Sequence, residues 1–178
     1  MTLPNYITLI RVILIPFFIN LMIYGYYREA LGVFLVACLT DALDGMIARL
    51  TKTKTELGAL LDPIADKLLI LAAFVTLVLL GLLPIWLVII VISRDVILVL
   101  GSLVIYVMGF ELKARPTILG KATTVLQLFT VTLSLLLTAY GIETEWMYMA
   151  HGATAAGTVA SGLQYVARGI SIVGHDAN

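Results

Sequence analysis

Four aspartates, Asp41, Asp44, Asp62 and Asp66, lie close together in a chain that is otherwise strongly apolar. Asp41 and Asp44 are three residues apart and Asp62 and Asp66 are four apart, so each pair shares one face of an α-helix. Four carboxylates converging at low dielectric would repel one another and would need cations nearby. Oxygen ligands without a supporting His or Cys constellation favour Mg²⁺, Mn²⁺ or Ca²⁺, and carboxylates shared between two such ions serve displacement at phosphorus. The pattern therefore predicts a two-cation site for phosphoryl chemistry.

The rest of the chain predicts a membrane protein. Only 12% of the 178 residues are charged and the mean hydropathy is +1.07, whereas soluble proteins carry roughly 25% charged residues. Apolar runs recur from the first ten residues to about residue 172, so we expect a single membrane domain, residues 1–178, with no soluble module. The formal net charge of zero argues against a nucleic-acid partner.

Six segments have the roughly 20 mostly apolar residues that a transmembrane helix needs. They are 6–25, 30–49, 56–80, 84–108, 117–140 and 146–170. When the connections alternate between the two sides of the membrane, the basic residues on one side are Arg49, Lys52, Lys54, Lys113, Arg115, Lys121 and Arg168. The other side carries only Arg28, so the positive-inside rule predicts that both termini are cytoplasmic. The predicted fold is an all-α integral membrane protein with six transmembrane helices.

Several residues are unusual for the interior of a membrane span. Those that ionise are Arg11, Lys67, Arg94 and Asp95. Such groups are usually paired or line a wet cavity, so they are functional candidates. For Arg11 the alternative is a side chain that extends to the nearest interface. Pro63 follows Asp62 and removes a backbone hydrogen bond, which predicts a break in the third span.

Residues 41–66 read D-x2-D-G-x2-A-R-x8-G-x3-D-x3-D, which resembles the signature of the CDP-alcohol phosphotransferase family. The fixed positions are filled by Asp41, Asp44, Gly45, Ala48, Arg49, Gly58, Asp62 and Asp66. The resemblance implies six transmembrane helices with a cytoplasm-facing polar cavity. It also implies two divalent cations and transfer of a phosphatidyl group from a CDP-linked lipid to an alcohol, with release of CMP.

Sequences outside the signature narrow the resemblance to the bacterial phosphatidylglycerophosphate synthases of that family. They include LPNYITLIRVILIP at the start, SRD at Ser93, GKATTVLQ at Gly120 and SGLQY at Ser161. This resemblance implies CDP-diacylglycerol and glycerol 3-phosphate as substrates, membrane lipid as the surroundings, and phospholipid biosynthesis as the role. It further implies a bacterial inner membrane location, a cytoplasmic active site and a homodimer.

The family resemblance also assigns roles to the four aspartates. Asp41, Asp44 and Asp62 would hold two divalent cations, Mg²⁺ or Mn²⁺, and Asp66 would complete the shell of the second cation. Asp66 would in addition act as general base beside the acceptor hydroxyl, which attacks the phosphorus bonded to the diacylglycerol. Clustered carboxylates cannot all be equally acidic, which agrees with this division of roles.

A nucleotide site is implied in the same way. It would consist of Asn5, Thr8, Gly45, Ala48, Arg49 and Gly58. Two alternatives stay open: Asn5 is also suited to be a helix N-cap after Pro4, and the small residues Gly45, Ala48 and Gly58 are also typical of close helix packing.

Arg94 and Lys121 would bind the phosphate of a phosphorylated acceptor, with Arg94 able to do so through two hydrogen bonds. Lys113 and Arg115 either join this site or form an ordinary basic loop attracted to anionic lipid. The acceptor itself stays open between glycerol 3-phosphate, inositol phosphate and serine, of which serine would need a different site for its carboxylate and amine.

Two other classes of membrane protein use intramembrane acids. An ion-coupled transporter would account for buried aspartates but not for Gly45, Ala48, Arg49 and Gly58 at fixed offsets from them. An intramembrane prenyltransferase also binds a diphosphate through aspartate pairs and Mg²⁺, but with differently spaced motifs and usually more spans. The signature therefore favours a CDP-alcohol phosphotransferase over both.

Overall fold

A computed structural model describes the backbone of residues 3–51, 56–108, 117–142 and 145–175, and the side chains of 9–40, 65–104, 107–108, 117–142 and 145–171. In these ranges the chain forms six α-helices. They are α1 (Leu3–Ile23), α2 (Tyr27–Thr51), α3 (Glu56–Leu79), α4 (Ile85–Val107), α5 (Ile118–Tyr140) and α6 (Trp146–His175). Each helix overlaps one predicted span, with ends that differ by at most five residues, and the largest difference is at the end of α6. The prediction of an all-helical chain is confirmed.

The predicted break at Pro63 is wrong. The α3 helix runs without interruption from Glu56 to Leu79 and passes through position 63. A proline removes one hydrogen bond from the ladder, and the remaining bonds of a 24-residue helix suffice to hold its course. Interrupted ladders are tolerated in apolar helices when neighbouring groups satisfy the freed carbonyl.

Three helices end in the same glycine motif. Gly25, Gly81 and Gly141 follow α1, α3 and α5 with φ values of 79°, 71° and 64°. After α3, for example, Gly81 N–H donates to the Val78 carbonyl at 2.9 Å and Leu82 N–H to the Leu77 carbonyl at 2.8 Å. This pair of bonds satisfies carbonyls that the helix end leaves open, and it requires a left-handed residue, which glycine supplies without strain.

The chain divides into two compact units, and α5 contributes its last part to the first unit and its first part to the second. The first unit comprises Met1–Leu83 and Val131–Thr144. Within it α1 packs against both α2 and α3, and the fully buried rings of Phe18 and Phe34 lie 5.8 Å apart between their centroids. Arg28 Nε donates to the Ala139 carbonyl at 3.3 Å, and its guanidinium lies 5.2 Å from the Tyr140 ring centroid. This contact ties the start of α2 to the end of α5.

The second unit comprises Pro84–Thr130 and Glu145–Asn178, and in it α4 packs against α6. The buried side chains between α5 and α6 are mainly polar. They include Thr123, Gln127, Thr130, Thr154, Thr158 and Ser161, each at most 3% exposed. Apolar side chains on the same two helices, such as Val125, Phe129 and Leu163, are exposed. Polar groups inside and apolar groups outside are the arrangement expected of helices surrounded by lipid.

Among the residues whose side chains are described, two helical segments are long and apolar enough to cross a membrane, Ile85–Val104 and Ile118–Tyr140. Only 22% of the apolar window of the first is buried inside the protein, unlike the core helix of a soluble domain. The two segments support a membrane protein. Six transmembrane helices, a cytoplasm-facing cavity and a single domain over residues 1–178 stay predictions.

Replacing Thr154 with valine tests the polar packing between α5 and α6. The hydroxyls of Thr130 and Thr154 are hydrogen-bonded at 2.6 Å and both residues are buried. Because valine keeps the shape but not the hydroxyl, we expect a loss of about 1 kcal/mol and a fall in Tm of about 2 to 4 °C in detergent.

The matched control is Thr138→Val, because the Thr138 hydroxyl donates to the Ser134 carbonyl one turn back in its own helix. Its Tm should fall by less than that of Thr154→Val. Equal shifts in both variants would mean that the hydroxyl pair between the helices adds nothing to stability.

Candidate active site

The predicted cation ligands lie on two neighbouring helices in sequence. Asp41 and Asp44 belong to α2, and Asp62 and Asp66 belong to α3. The side chains of Asp41, Asp44 and Asp62 lie outside the described residues, and so do those of the predicted nucleotide site: Asn5, Thr8, Gly45, Ala48, Arg49 and Gly58. Among the side chains that are described, no three His, Cys, Asp or Glu residues form a metal-binding group. The cation site and the nucleotide site therefore stay predictions.

Asp66, the predicted general base, forms an ion pair with Arg11 of α1. Arg11 is 1% exposed, while the Asp66 side chain is 39% exposed. A side chain that extended to the membrane interface would be exposed, so the structure favours pairing for Arg11 and excludes the extended alternative. The guanidinium neutralises a carboxylate within the first unit and fixes its direction, while one part of that carboxylate stays accessible to a ligand.

From the sequence, Arg11 was recognised as a charged residue within an apolar span, but its partner was not predicted. The 55 positions between Arg11 and Asp66 exclude a local signal of the i to i+4 kind. The contact arises because α1 packs against α3. In the sequence, the position of a charged residue within an apolar span was the feature that pointed to a pairing.

Arg94, predicted to bind the acceptor phosphate, is 9% exposed and lies between α4 and α6. Its Nη1 donates to Asp95 Oδ1 at 2.6 Å, and its Nη2 donates to Ser161 Oγ at 3.2 Å. The neighbouring carboxylate balances part of the buried charge, and the serine fixes the other end of the guanidinium. Ser161 lies in the SGLQY segment of the family resemblance, but sequence reasoning gave it no role.

Lys121, the second predicted phosphate ligand, lies in the first turn of α5 and is exposed. Thr117 begins this turn, and its Oγ1 accepts a hydrogen bond from Gly120 N–H at 2.8 Å, which is the geometry of a helix N-cap. The Arg94 guanidinium lies beside Gly120, the residue that precedes Lys121. The structure thus brings the two predicted phosphate ligands to the same end of α5.

The two groups of residues belong to different units of the chain. Asp66 with Arg11 lies in the first, and Arg94 with Lys121 lies in the second. The convergence of the general base and the phosphate ligands on one substrate stays a prediction. Lys113 and Arg115, considered as additional phosphate ligands, lie outside the described residues.

Comparison with known proteins gives a family match and several relatives that cover most of the chain. The family model described as CDP-alcohol phosphatidyltransferase matches residues 1–160. A probable phosphatidylglycerophosphate synthase of Mycobacterium tuberculosis (strain ATCC 25618 / H37Rv) is 32% identical over 179 residues, which cover 97% of this chain and 83% of that protein. The CDP-diacylglycerol--glycerol-3-phosphate 3-phosphatidyltransferase of Bacillus subtilis (strain 168) is 38% identical over 149 residues, which cover 75% of this chain and 76% of that protein.

A third relative carries a different name. The cardiolipin synthase (CMP-forming) of Rattus norvegicus is 34% identical over 183 residues, which cover 92% of this chain and 60% of that protein. The relatives thus differ in the lipid that their names specify, while the family model spans most of the chain. This protein therefore belongs to the CDP-alcohol phosphatidyltransferase family and is a transferase of phospholipid biosynthesis.

Proposed function

We propose that this enzyme transfers the phosphatidyl group of CDP-diacylglycerol to glycerol 3-phosphate, giving phosphatidylglycerophosphate and CMP. The observation that carries the choice of acceptor is the buried Arg94 guanidinium beside the first turn of α5, where Lys121 lies. An arginine and a lysine at one helix N-terminus suit a phosphate monoester, which serine lacks. The printed name of the relative from Bacillus subtilis specifies glycerol 3-phosphate.

Asp41, Asp44, Asp62 and Asp66 would hold two divalent cations, Mg²⁺ or Mn²⁺. The described member of this set fits such a role, because Asp66 presents a carboxylate that is 39% exposed although paired with Arg11. Carboxylate oxygens are the ligands that these ions prefer. When bound, the cations would neutralise charge on the diphosphate of the CDP-lipid.

Proton transfer and substrate binding are the roles of the side chains. Asp66 takes the proton from the acceptor hydroxyl as the hydroxyl oxygen forms a bond to the phosphorus that carries the diacylglycerol. The bond from that phosphorus to the bridging diphosphate oxygen breaks, and CMP leaves with the electron pair. Gly45, Ala48, Arg49 and Gly58, with Asn5 and Thr8, would hold the nucleotide. Arg94 and Lys121 would hold the acceptor phosphate and so orient its hydroxyl.

The membrane arrangement is part of the proposal. Six transmembrane helices would place both termini and the active site at the cytoplasmic side of a bacterial inner membrane, as the distribution of basic residues favours. There a CDP-lipid head group and a soluble acceptor can meet in one polar cavity. A homodimer stays an expectation from the family resemblance.

Cardiolipin synthesis is the second candidate, favoured by the rat relative. Cardiolipin contains two phosphatidyl groups joined by one glycerol, so its formation with CMP release would need phosphatidylglycerol as acceptor. Inositol phosphate would place demands on Arg94 and Lys121 similar to those of glycerol 3-phosphate. The family match decides against the transporter and the prenyltransferase, neither of which transfers a phosphatidyl group from a CDP-alcohol.

The test is to offer CDP-diacylglycerol with each acceptor in turn, with Mg²⁺ or Mn²⁺, and to identify the lipid formed. We expect phosphatidylglycerophosphate from glycerol 3-phosphate, with one CMP per lipid, and loss of turnover when a chelator removes the cations. Cardiolipin from phosphatidylglycerol, or product from inositol phosphate with none from glycerol 3-phosphate, would overturn the choice of acceptor.

A further inference from the structure

The guanidinium of Arg94 has hydrogen-bond partners for only some of its donors. Its Nη1 is bonded to Asp95 and its Nη2 to Ser161, whereas its buried Nε has no hydrogen-bond partner among the described residues. A guanidinium carries five donor hydrogens, and buried donors are normally satisfied. Arg94, which is nine-tenths buried, therefore retains donors that another acceptor is needed to satisfy.

Gly120 of α5 leaves a small gap beside this guanidinium. A Cβ atom at this position would lie 3.0 Å from Thr117 Oγ1, 3.6 Å from Arg94 Nη2 and 3.7 Å from Ser161 Oγ. The three nearest atoms are all polar, so the gap suits an oxygen atom better than a methyl group. A side chain at position 120 would also stand between the guanidinium and the first turn of α5.

That first turn adds donors of its own. Thr117 caps the turn by accepting the Gly120 N–H, and the earliest N–H groups of any helix lack acceptors within the helix. These groups and the helix dipole attract anions, and phosphate groups above all. Nη2 of Arg94, which has a second hydrogen to donate besides the one bonded to Ser161, thus lies beside a helix N-terminus, next to the gap at Gly120.

We propose that Ser161 is a positioning residue for the acceptor and that Gly120 keeps open the place of one oxygen of its phosphate monoester. The Ser161 hydroxyl holds Nη2 of Arg94 toward the first turn of α5, so that guanidinium and helix N-terminus bind the same phosphate group. This inference rests on the proposed function, because it requires an acceptor that carries a phosphate monoester.

Ordinary helix packing predicts something different for Ser161. Thr154 and Thr158 are fully buried on the same face of α6, and a hydroxyl that only packed there would support the fold without regard to substrate. Its loss would lower Tm and would affect both substrates alike. A positioning role affects the acceptor alone, since the proposed function assigns Arg94 to the acceptor phosphate and not to CDP-diacylglycerol.

Ser161→Ala separates these two roles. We expect the KM for glycerol 3-phosphate to rise about three- to tenfold, the range of one hydrogen bond, with the KM for CDP-diacylglycerol unchanged. Ser161→Thr keeps the hydroxyl and should restore the KM for glycerol 3-phosphate toward that of the wild type. The control is Ser171→Ala, which removes an exposed hydroxyl bonded to the Arg168 carbonyl on the same helix.

Gly120→Ala tests the gap without altering Arg94 or Ser161. Alanine favours a helix over glycine, but its Cβ would lie 3.0 Å from the capping oxygen Thr117 Oγ1, so the Tm is measured together with both KM values. The added methyl would stand beside the Arg94 guanidinium, in the path of an approaching phosphate oxygen, and we expect the KM for glycerol 3-phosphate to rise about tenfold or more. The matched control is Gly152→Ala on α6, where an added Cβ meets nothing within 4 Å.

The outcomes are distinguishable. An unchanged KM for glycerol 3-phosphate in Ser161→Ala or in Gly120→Ala overturns the inference while the proposed function stands. A lower Tm with equal rises in both KM values in Ser161→Ala also overturns it, in favour of packing. Wild-type protein that forms no lipid from glycerol 3-phosphate overturns the proposed function, and the positioning role with it.

Discussion

Replacing Asp66 with asparagine should lower the rate of CMP release by at least about 10²-fold, the lower range for loss of a general base. The amide keeps an oxygen that accepts a hydrogen bond from Arg11, so the contact between α1 and α3 has a partner in the variant. The amide cannot take a proton from the acceptor hydroxyl, and it is a poorer cation ligand than a carboxylate. The measurement is release of CMP from CDP-diacylglycerol at saturating glycerol 3-phosphate.

Binding of the nucleotide should survive this change, because its predicted residues lie elsewhere on α1, α2 and α3. Protection of the variant against heat by CDP-diacylglycerol gives that readout. The control is Glu29→Gln, the same change of carboxylate to amide at an exposed position at the start of α2. Full activity in Asp66→Asn would remove Asp66 from the chemistry, and loss of both activity and nucleotide protection would point to misfolding instead.

The helices followed from the sequence because each depends on a local property. Spans of about 20 apolar residues are self-contained in their backbone hydrogen bonds, and the glycines that end α1, α3 and α5 lie next to those spans in the sequence. The error at Pro63 has a local origin too. A proline lowers the preference for helix at one position, but the course of α3 is set by all of its residues together.

The contacts between site residues were harder to predict from the sequence, because they depend on which helices pack together. Spacing placed Asp62 and Asp66 on one face of a helix, yet it gave no information that Arg11, on another helix, would meet Asp66. Ser161 shows the same limit. A serine on a face with Thr154 and Thr158 reads as packing, and its bond to Arg94 becomes visible only once α4 and α6 are in place.

After the loss of activity in Asp66→Asn, the largest effect that we expect is a loss of stability when the ion pair between Arg11 and Asp66 is broken. Arg11→Met keeps a long apolar side chain but leaves the carboxylate without its guanidinium. Removing one member of a buried pair costs about 3 to 5 kcal/mol, and the partial exposure of Asp66 reduces our expectation to about 2 to 3 kcal/mol. For a chain of this length that corresponds to a fall in Tm of about 4 to 12 °C.

Two further variants identify the cause of such a fall. Arg168→Met makes the same substitution at an exposed position of α6 and should leave the Tm nearly unchanged. The double variant Arg11→Met with Asp66→Asn removes both charges, so it should lose less stability than the sum of the single changes. If the losses simply add, the two side chains do not stabilise one another, and the burial of Arg11 must be explained by other contacts of its side chain. If they do not add, α1 holds Asp66, the proposed general base, in place as well as packing against α3.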